Sequence, residues 1–295
     1  MGLAEILEGS ERAVFLADGV VLPKVNDVKD FNVCSWVYNV LADTSSSDDY
    51  KNDYNGFFFQ RQMTSDTCDF VLIGPTGTEY VISDDTYGTF KDFGDIDSNS
   101  ELKTFILEWK KVIDTLGIGC YTVRLDKSIA GVSISETSLT YELMQFSTEL
   151  ANGTYRIDCI QDGSLLLYNT NFKGSEFKDS LRLRGYFGNA TPEMIEDSIV
   201  FSNNERVQIS LDIKNEYIAN NSFIPIEAFT QLKNIILTGN QIFGNDYNTD
   251  NPSYDLVKIP LYAEEITPDY RRGNRNILVN MKFSDKFVDN RKTNC

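Results

Sequence analysis

The fold class is decided by residues 98–125, SNSELKTFILEWKKVIDTLGIGCYTVRL, where a helical pattern meets a strand pattern. Apolar residues of the first part recur at the three- to four-residue spacing of one helical face. Ser98 and Glu101 match a capping box, and Gly117 stands where helices commonly end. We therefore predict a helix over residues 99–116, packed by one face onto a sheet.

Strand patterns surround this helix. GCYTVRL (119–125) alternates apolar and polar residues, which indicates a half-buried strand. Two β-rich runs, 68–73 and 78–83, are joined by a Gly-Pro-Thr-Gly turn, and the consecutive aromatic residues of 56–63 are typical of a strand covered on both faces. The order β-β-β-α-β predicts an α+β domain over residues 1–139, with the helix on an antiparallel sheet.

From residue 140 onward the pattern is almost entirely that of strands. Turn-forming Asn, Asp and Gly residues separate them, and this spacing predicts a β-sandwich- or barrel-like domain over residues 140–295. One segment, 224–232, is predicted to be a short helix with Pro225 near its start. The whole chain is thus predicted to be α+β, and mainly β. The predicted strands are 140–147, 153–161, 164–168, 180–188, 206–214, 233–239, 254–263 and 277–283.

The composition excludes several classes of enzyme. The 295 residues include no histidine, which excludes Ser-His-Asp and Cys-His nucleophilic catalysis, histidine-ligated zinc and haem with a proximal histidine. Carboxylate, Lys or Tyr chemistry remains open to an enzyme. The formal net charge of −17 argues against binding nucleic acid through its phosphates, because such binding needs a basic surface.

The charge is unevenly distributed along the chain. Residues 43–101 contain 13 acidic and 3 basic side chains, a net of −10. Residues 269–292 contain seven basic and three acidic side chains, a net of +4. A chain with an acidic front and a basic tail suits head-to-tail contact between copies of itself, although solvated surface alone accounts for the same pattern.

The cysteines and the apolar runs indicate in which cellular compartment the chain folds. Cys34, Cys68, Cys120 and Cys159 stand among apolar or strand-forming neighbours, the context of small buried side chains. Their scattered spacing predicts folding in a reducing, cytosolic compartment. Apolar runs stay well below the roughly 18–20 residues of a membrane span, and the first residues do not read as a signal peptide, so no membrane partner is expected.

Two acidic clusters begin like calcium-binding loops but lack the rest of the motif. DIDSN (95–99) is followed by Ser100 where the turn glycine belongs, and Ile106 replaces the bidentate Glu. DYNTD (246–250) departs from the motif in the same way. Turn formation by Asp and Asn accounts for both, while looser Ca²⁺ binding stays open. The sequence therefore assigns no catalytic, cofactor-binding or metal-binding residue.

Two further functions stay open as alternatives. Paired carboxylates are the catalytic option that the composition leaves, but adjacent pairs such as Asp84-Asp85 and Glu264-Glu265 would point to opposite faces of a strand. A carboxylate-dependent hydrolase is one alternative. Tyrosines near the acidic segment and near the Asn-rich loop 245–251 suit sugar stacking or protein interfaces, which makes a carbohydrate- or cell-surface-binding tail adhesin the other.

Three segments carry a resemblance to a known class of protein: ANGTYRI (151–157), DSLRLRGYFG (179–188) and DYNTDNPSYDLVKIPL (246–261). They resemble the virion structural proteins of tailed bacteriophages, and are most similar to ring proteins of the neck and tail barrel of crAss-like gut phages. The likeness extends from about residue 140 to residue 263. The portion from GFFFQRQ to GCYTV is compatible with an accessory domain of such a protein.

The resemblance implies a non-enzymatic subunit without a cofactor. It implies a ring homo-oligomer that contacts other neck and tail proteins and surrounds a channel through which genomic DNA passes without specific binding. It also implies a location in the virion, after folding and assembly in the host cytoplasm. Under this hypothesis the acidic residues of 84–101 line the lumen, where like charge keeps DNA from adhering.

Overall fold

The computed structural model describes residues 37–96, 101–162, 164–165, 170–187, 190–202, 204, 206–221, 224–237, 239–248, 258–269, 276–285 and 289–292. Strands make up 61% of the described part and helices 11%, so the prediction of a mainly β chain with a minority of helix is confirmed. The strands are distributed over several sheets.

The first half of the described chain forms two main sheets around one helix. Its elements are β1 (Val37–Ala42), β2 (Tyr54–Gln60), β3 (Thr67–Ile73), β4 (Glu79–Ile82), β5 (Gly88–Lys91), β6 (Leu102–Glu108), α1 (Trp109–Leu116), β7 (Gly119–Ile129), β8 (Val132–Thr137) and β9 (Thr140–Gln145). β6 lies between β2 and β5. The second sheet has the order β1-β9-β7-β3-β4, with β8 also paired to β7.

The sheet order confirms the predicted hairpin and corrects the predicted strand direction at one edge. β3 and β4 pair antiparallel, and Gly77, at φ +78°, donates its N–H to the Gly74 carbonyl at 2.9 Å in the turn. β1 and β9 pair parallel, so the predicted antiparallel sheet is mixed at this edge. About a hundred residues connect these two strands, long enough for the crossover that parallel pairing requires.

The predicted helix over residues 99–116 is wrong in its first half. The helix α1 begins at Trp109, and the preceding residues form strand β6. Residues 102–107 are all buried, so their apolar side chains belong to a strand covered on both faces, and the helical spacing among them is coincidental. Gly117 ends the helix as predicted, at φ +89°. Ser98 of the predicted capping box lies outside the described residues.

The second half is dominated by long antiparallel strands. Its elements are α2 (Thr148–Ala151), β10 (Thr154–Gln161), β11 (Ser164–Leu165), β12 (Thr170–Asn171), β13 (Phe177–Phe187), β14 (Thr191–Val200), β15 (Arg206–Asn221), β16 (Ile224–Pro225), α3 (Ile226–Gln231), β17 (Gln241–Asp246), β18 (Ile259–Asp269), β19 (Asn276–Asp285) and β20 (Asp289–Lys292). The predicted strands at 153–161, 180–188 and 277–283 each coincide with one of these elements within three residues, while the strand predicted at 206–214 begins as predicted and continues to Asn221. Strand β14 was not among the predicted strands.

Six of these strands follow one another in a pairing order that returns on itself, β13-β10-β17-β18-β19-β15 and back to β13. Aromatic side chains of these strands pack against one another. The centroid of Phe187 lies 5.4 Å from that of Tyr217, 5.8 Å from that of Phe283 and 5.9 Å from that of Tyr155. All four side chains are buried, so the space between these strands is filled by side chains.

The segment after Pro225 contains the confirmed short helix and one wrong strand. The helix α3 begins directly after Pro225, as predicted for 224–232. The predicted strand 233–239 is wrong, because a π-helical turn over Leu232–Ile236 continues the helix. Buried Phe229, Leu232 and Ile236 recur at helical spacing, and burying that face outweighs the β propensity of the isoleucines. None of the described helices is long and apolar enough to cross a membrane.

One continuous hydrophobic core includes buried side chains from both halves. Phe58 of β2 meets the rings of Phe172 and Phe177 edge-on, with centroids 5.1 and 5.7 Å apart. At Gly56, a Cβ would come within 2.6 Å of the Phe177 ring, so the glycine permits close approach of β2 to β13. The predicted domain boundary between residues 139 and 140 stays a prediction.

Candidate functional site

A concentration of buried charge lies where the start of β2 meets β10 and β13. Asp53 accepts a hydrogen bond from Arg156 Nη1 at 2.8 Å and two more from Arg182 Nε and Nη2, both at 2.8 Å. Arg156 Nη2 also donates to Asp158 Oδ2 at 2.9 Å. All four side chains are buried. Asp53, Arg156, Asp158 and Arg182, here called the buried ion cluster, balance two positive with two negative charges.

The strand register explains why the cluster needs a carboxylate from the first half. Arg156 of β10 and Arg182 of β13 are direct cross-strand partners, and like charges in that position repel. Asp53 bridges them from the turn before β2. Arg156 also donates to the carbonyls of Asp49 and Asn52, at 3.0 and 3.1 Å, so the cluster fixes the whole turn against β10.

The surroundings favour the charged form of Asp53, whereas burial raises the pKa of Asp158. Burial acts to raise the pKa of Asp53, but the positive charges of Arg182 and Arg156 outweigh burial and hold that pKa below its ordinary value. The Tyr247 ring covers the Arg182 guanidinium, with 4.3 Å between the guanidinium carbon and the ring centroid. Asp53 is therefore ionised at neutral pH, between two arginines that water does not reach.

A second buried carboxylate, Asp179, lies at the same junction, and among the described residues it has no basic partner. Its Oδ1 accepts the backbone N–H groups of Ser180 and Gly56, at 2.8 and 3.0 Å, and the Asn55 amide at 3.4 Å. Its Oδ2 accepts the Gln231 amide at 2.8 Å. Burial raises the pKa of Asp179 to about 7, and these hydrogen bonds oppose the rise. Asp179 thus joins β2, β13 and α3 through neutral donors.

The chemistry open to these buried groups is structural. A catalytic carboxylate needs access to a substrate, and Asp53, Asp158 and Asp179 are each at most 3% exposed. Two surface grooves, one beside α3 and one beside Lys178, are lined by other residues. The charged groups are satisfied by one another, so the buried ion cluster positions the first half of the chain against β10 and β13.

The two acidic loops examined for calcium binding form turns where they are described. Asp95 Oδ2 accepts the N–H of Asp92 at 3.1 Å, and Asp246 Oδ1 accepts the N–H of Asn248 at 3.0 Å. The remaining loop residues, 97–100 and 249–251, lie outside the described residues. Within the described part of the chain, no three acidic or cysteine side chains converge as a metal ion would require.

The adjacent acidic pairs do not form carboxylate sites. Asp84 and Asp85 each accept a backbone N–H in their turn, at 2.9 and 2.6 Å. Glu264 pairs with Lys214 at 2.7 Å, while Glu265 accepts a neighbouring hydroxyl at 2.9 Å. Asp84 and Asp85 lie in a turn, and Glu264 lies at a β-bulge of β18, so the opposite directions expected of adjacent residues in a regular strand do not apply to either pair.

The tyrosines near the acidic segment and the Asn-rich loop are mostly engaged in packing. Tyr247 is buried, and its hydroxyl donates to the carbonyl of Tyr50. Tyr80 and Tyr87 pack against one another, with ring centroids 5.7 Å apart. Tyr262 is 64% exposed. The described part of these segments therefore presents one strongly exposed tyrosine rather than an aromatic platform for a sugar.

In the folded chain, ion pairs offset part of the negative charge of the acidic segment 43–101. Five of its carboxylates pair with basic side chains from elsewhere in the chain, which reduces the negative charge this segment presents to solvent. The pairs are Asp49–Lys258, Asp53–Arg156, Asp69–Lys103, Asp92–Lys103 and Glu79–Arg124. In the basic tail, the described side chain is that of Lys282, which pairs with Glu216 at 2.7 Å; Arg271, Arg272, Arg275 and Lys286 lie outside the described residues.

The cysteine prediction is confirmed at two positions and wrong at one. Cys68 and Cys159 are buried, and burial raises the pKa of Cys68 to about 12. Cys120 is exposed, because the alternation along β7 that buries Tyr121 turns its neighbour outward. Cys34 lies outside the described residues.

A long hairpin forms the main surface feature of the second half. β14 pairs with β15 from Thr191 opposite Glu216 to Val200 opposite Arg206, and we call residues 191–200 and 206–216 the hairpin arm. β15 meets β13 and β19 only from Glu216 onward, and β20 pairs with it over residues 210–213, so the end of the arm extends beyond these pairings. Among the described residues, the outer edge of β14 has no partner strand.

The end of the hairpin arm is apolar and exposed. Ile199, Val200 and Phe201 are 50%, 62% and 52% exposed. Farther along the same strand, Met194 is 65% exposed. Because adjacent strand residues point to opposite faces, Ile199 and Val200 expose apolar side chains on both faces of the arm end, and such clusters mark contact surfaces more often than scattered single residues do. Because the arm also offers an unpaired strand edge, it is the candidate interaction surface of the molecule.

Sequence reasoning missed both the buried ion cluster and the hairpin arm. Arg156, Asp179 and Arg182 do lie within the segments that carry the phage resemblance, and Arg156 interrupts an apolar run, which was the available signal. In β14, TPEMIEDSIV lacks the regular alternation that indicates a strand. No protein-family model matches the chain, and comparison with curated proteins finds no similar sequence, so the functional argument rests on the chain's own geometry.

Proposed function

We propose that the chain is a non-enzymatic structural subunit of a tailed-phage virion, and that it oligomerises into a ring of the neck or tail around the DNA channel. The observation that carries this proposal is the hairpin arm. Its exposed apolar end and unpaired edge suit contact with another chain far better than isolation in water. The resemblance of residues 151–157, 179–188 and 246–261 to ring proteins supports the same function.

The interior of the molecule is consistent with a rigid building block. The buried ion cluster and the Asp179 junction fix β2 against β10 and β13, and packed aromatic rings fill the space between the six strands. A ring subunit needs such rigidity because small errors at each contact accumulate around a closed ring. We propose that residues 140–295 act as the sandwich- or barrel-like assembly domain and residues 1–139 as the accessory domain.

The proposed partners follow from the proposed ring. Copies of the chain contact one another, other neck and tail proteins stack against the ring, and genomic DNA passes through without specific binding. Exposed Asp84, Asp85 and Asp95 remain without a basic partner among the described residues, and they suit a lumen that repels phosphate. In the assembled particle we expect these three carboxylates to face the channel; an outward position for all three contradicts the lumen assignment.

The experiment that tests the proposed function has two parts. Negative-stain imaging of the purified chain examines ring formation, and mass spectrometry of intact particles examines its presence in the virion after assembly in the host cytoplasm. We expect rings of one stoichiometry and a defined copy number per particle. A chain that is strictly monomeric and absent from particles contradicts the proposal.

The two alternatives gain little from the geometry. A sugar-binding adhesin needs exposed aromatic side chains, and of the tyrosines considered above only Tyr262 is strongly exposed among those described. A carboxylate hydrolase needs two accessible acids around a cleft, and the buried acids Asp53 and Asp158 are committed to Arg156. A glycan array and an oligosaccharide hydrolysis screen test these alternatives, and a specific signal in either favours it over the ring.

A further inference from the structure

The chain carries a groove between α3 with its π-helical turn and the strand β18. Its volume is about 550 Å³. Phe229 and Leu237 line one side, and Ile266 and Pro268 line the other. β18 pairs with β17 only as far as Leu261, so the part of β18 beside the groove has no strand on that side. The groove therefore presents an apolar floor that a short projecting apolar segment can fill.

The exposed end of the hairpin arm has matching chemistry. Ile199, Val200 and Phe201 are consecutive, and each is at least half exposed. Arg206 follows the turn, and its Nε lies 3.5 Å from the Glu196 carboxylate. The Arg206 side chain is 62% exposed. The arm thus ends in an apolar projection, with the charges of Arg206 and Glu196 near its base.

The charges around the groove are complementary to those of the arm. Lys233, exposed at the groove, lies over the Phe229 ring at 5.9 Å, and Glu265 is exposed on the opposite side. A docked arm can place Arg206 beside Glu265 and Glu196 beside Lys233. Opposite charges around an apolar contact fix its orientation and favour the correct partner.

The arm cannot reach the groove of its own chain. Lys214, near the base of the arm, pairs with Glu264, which lines the groove. Arg206 lies eight residues farther along the same strand, roughly 27 Å away at about 3.4 Å per residue. An arm end that fills the groove must therefore belong to a second copy of the chain.

We propose that the arm end Ile199–Phe201 of one copy docks into the groove between α3 and β18 of the next copy. This inference rests on the proposed function and specifies its contact. The contact is heterologous, because two different surfaces of the chain meet. Repetition of a heterologous contact produces a ring when the rotation closes, and an open filament when it does not.

Sedimentation velocity of the full chain tests the contact with a matched pair of variants. Phe201→Asp places a charge on the arm end, and Val132→Asp places the same charge on a residue of similar exposure, 59%, at the distant β7–β8 turn. We expect Phe201→Asp to raise the concentration needed for assembly at least tenfold, and Val132→Asp to assemble like the unmodified chain. Equal assembly of both variants, with unchanged circular dichroism, overturns the contact.

Charge reversal provides a second test that does not depend on the apolar side chains. Arg206→Glu and Glu265→Arg should each weaken assembly, and the double variant should recover it, because the reversed charges attract again. A double variant no better than the single ones overturns the contact. An unmodified chain that stays monomeric instead contradicts the proposed ring, so the two failures are distinguishable.

Discussion

At the scale of single residues, the buried ion cluster determines how the two halves meet. Removing charges from water is costly, and a buried pair of ions often adds little net stability. Its effect is specific, because Arg156 and Arg182 face one another and only Asp53 lies between them. A displaced arrangement would leave Arg156 with Asp158 of its own strand but would bury the Arg182 guanidinium without a carboxylate. We infer that the cluster selects one arrangement of β2 against β10 and β13.

The first prediction concerns Asp53→Asn. The amide leaves Arg156 and Arg182 buried without their shared carboxylate, and we expect the free energy of unfolding to fall by about 3–5 kcal/mol. Urea unfolding measures the change. The control is Asp48→Asn, which removes a surface pair with Lys51 at 3.3 Å and should cost less than about 1 kcal/mol. Equal effects of the two substitutions would show that the cluster is not a determinant of the fold.

The second prediction concerns the pH dependence caused by Asp179. Its pKa is about 7 in the folded chain and near 4 when unfolded, so the folded state holds the proton more tightly. The stabilisation from this group is complete below pH 4 and is lost as the pH rises toward 7. Tyr54 interacts electrostatically with Asp179, and the hydrogen bonds to Asp179 come from Asn55, Gly56, Ser180 and Gln231.

Asp179→Asn removes this titration. Urea unfolding at several pH values should show the stability of the variant, relative to the unmodified chain, rising from pH 4 to pH 7 and levelling above it. The change should be on the order of a few kcal/mol. The opposite slope would mean that the donors Asn55, Gly56, Ser180 and Gln231 lower the pKa of Asp179 more than burial raises it.

At the scale of elements, sequence patterns located strands well and misjudged segments that are buried on every side. The alternation along β7 and the turn between β3 and β4 were predictable, because water contacts one side of each. The strand LKTFILE (102–108) was not predictable. It is buried on both faces, so it lacks the alternation of apolar and polar residues that indicates a strand. For residues 233–239 the local β propensity was overruled by tertiary packing of a helical face.

The candidate site was less predictable than the elements. Asp53 lies about a hundred residues from Arg156 in sequence, and no local pattern connects them. The same is true of Asp179, whose four donors come from three separate elements. The hairpin arm was missed because β14 mixes acidic and apolar residues without alternation, as an exposed strand that pairs on one edge is free to do.

The third prediction tests the junction where α1 turns into β7. Gly119 has φ +150°, and a Cβ there would overlap the Pro75 ring in the turn of the β3–β4 hairpin. We expect Gly119→Ala to cost more than about 2 kcal/mol, through backbone strain and this overlap. Gly77→Ala is the control, since it has positive φ but open space around its Cβ, and about 1 kcal/mol is expected.

The measurement for this prediction is thermal and urea unfolding of both variants. A stability of Gly119→Ala that is clearly lower than that of Gly77→Ala supports close contact between the hairpin turn and the start of β7. A reversed ranking would mean that the Pro75 ring moves aside freely, and that the helix-to-strand junction is not constrained by the hairpin.

At the scale of the whole molecule, the charge of −17 opposes association between identical chains. The fold reduces this obstacle by pairing acidic side chains with distant basic ones, as at Glu79 and Arg124. It also separates an apolar arm end from an apolar groove on the same chain. A contact between these two apolar surfaces would allow identical chains to associate despite their negative charge.

We propose that copies of this chain form a closed ring through two different surfaces. Negative-stain imaging of the purified chain, with sedimentation velocity across a concentration series, tests this claim most directly. We predict closed rings of a single stoichiometry that dissociate when Phe201 is replaced by Asp. A chain that sediments as a monomer at every concentration, with no rings in the images, would contradict the account.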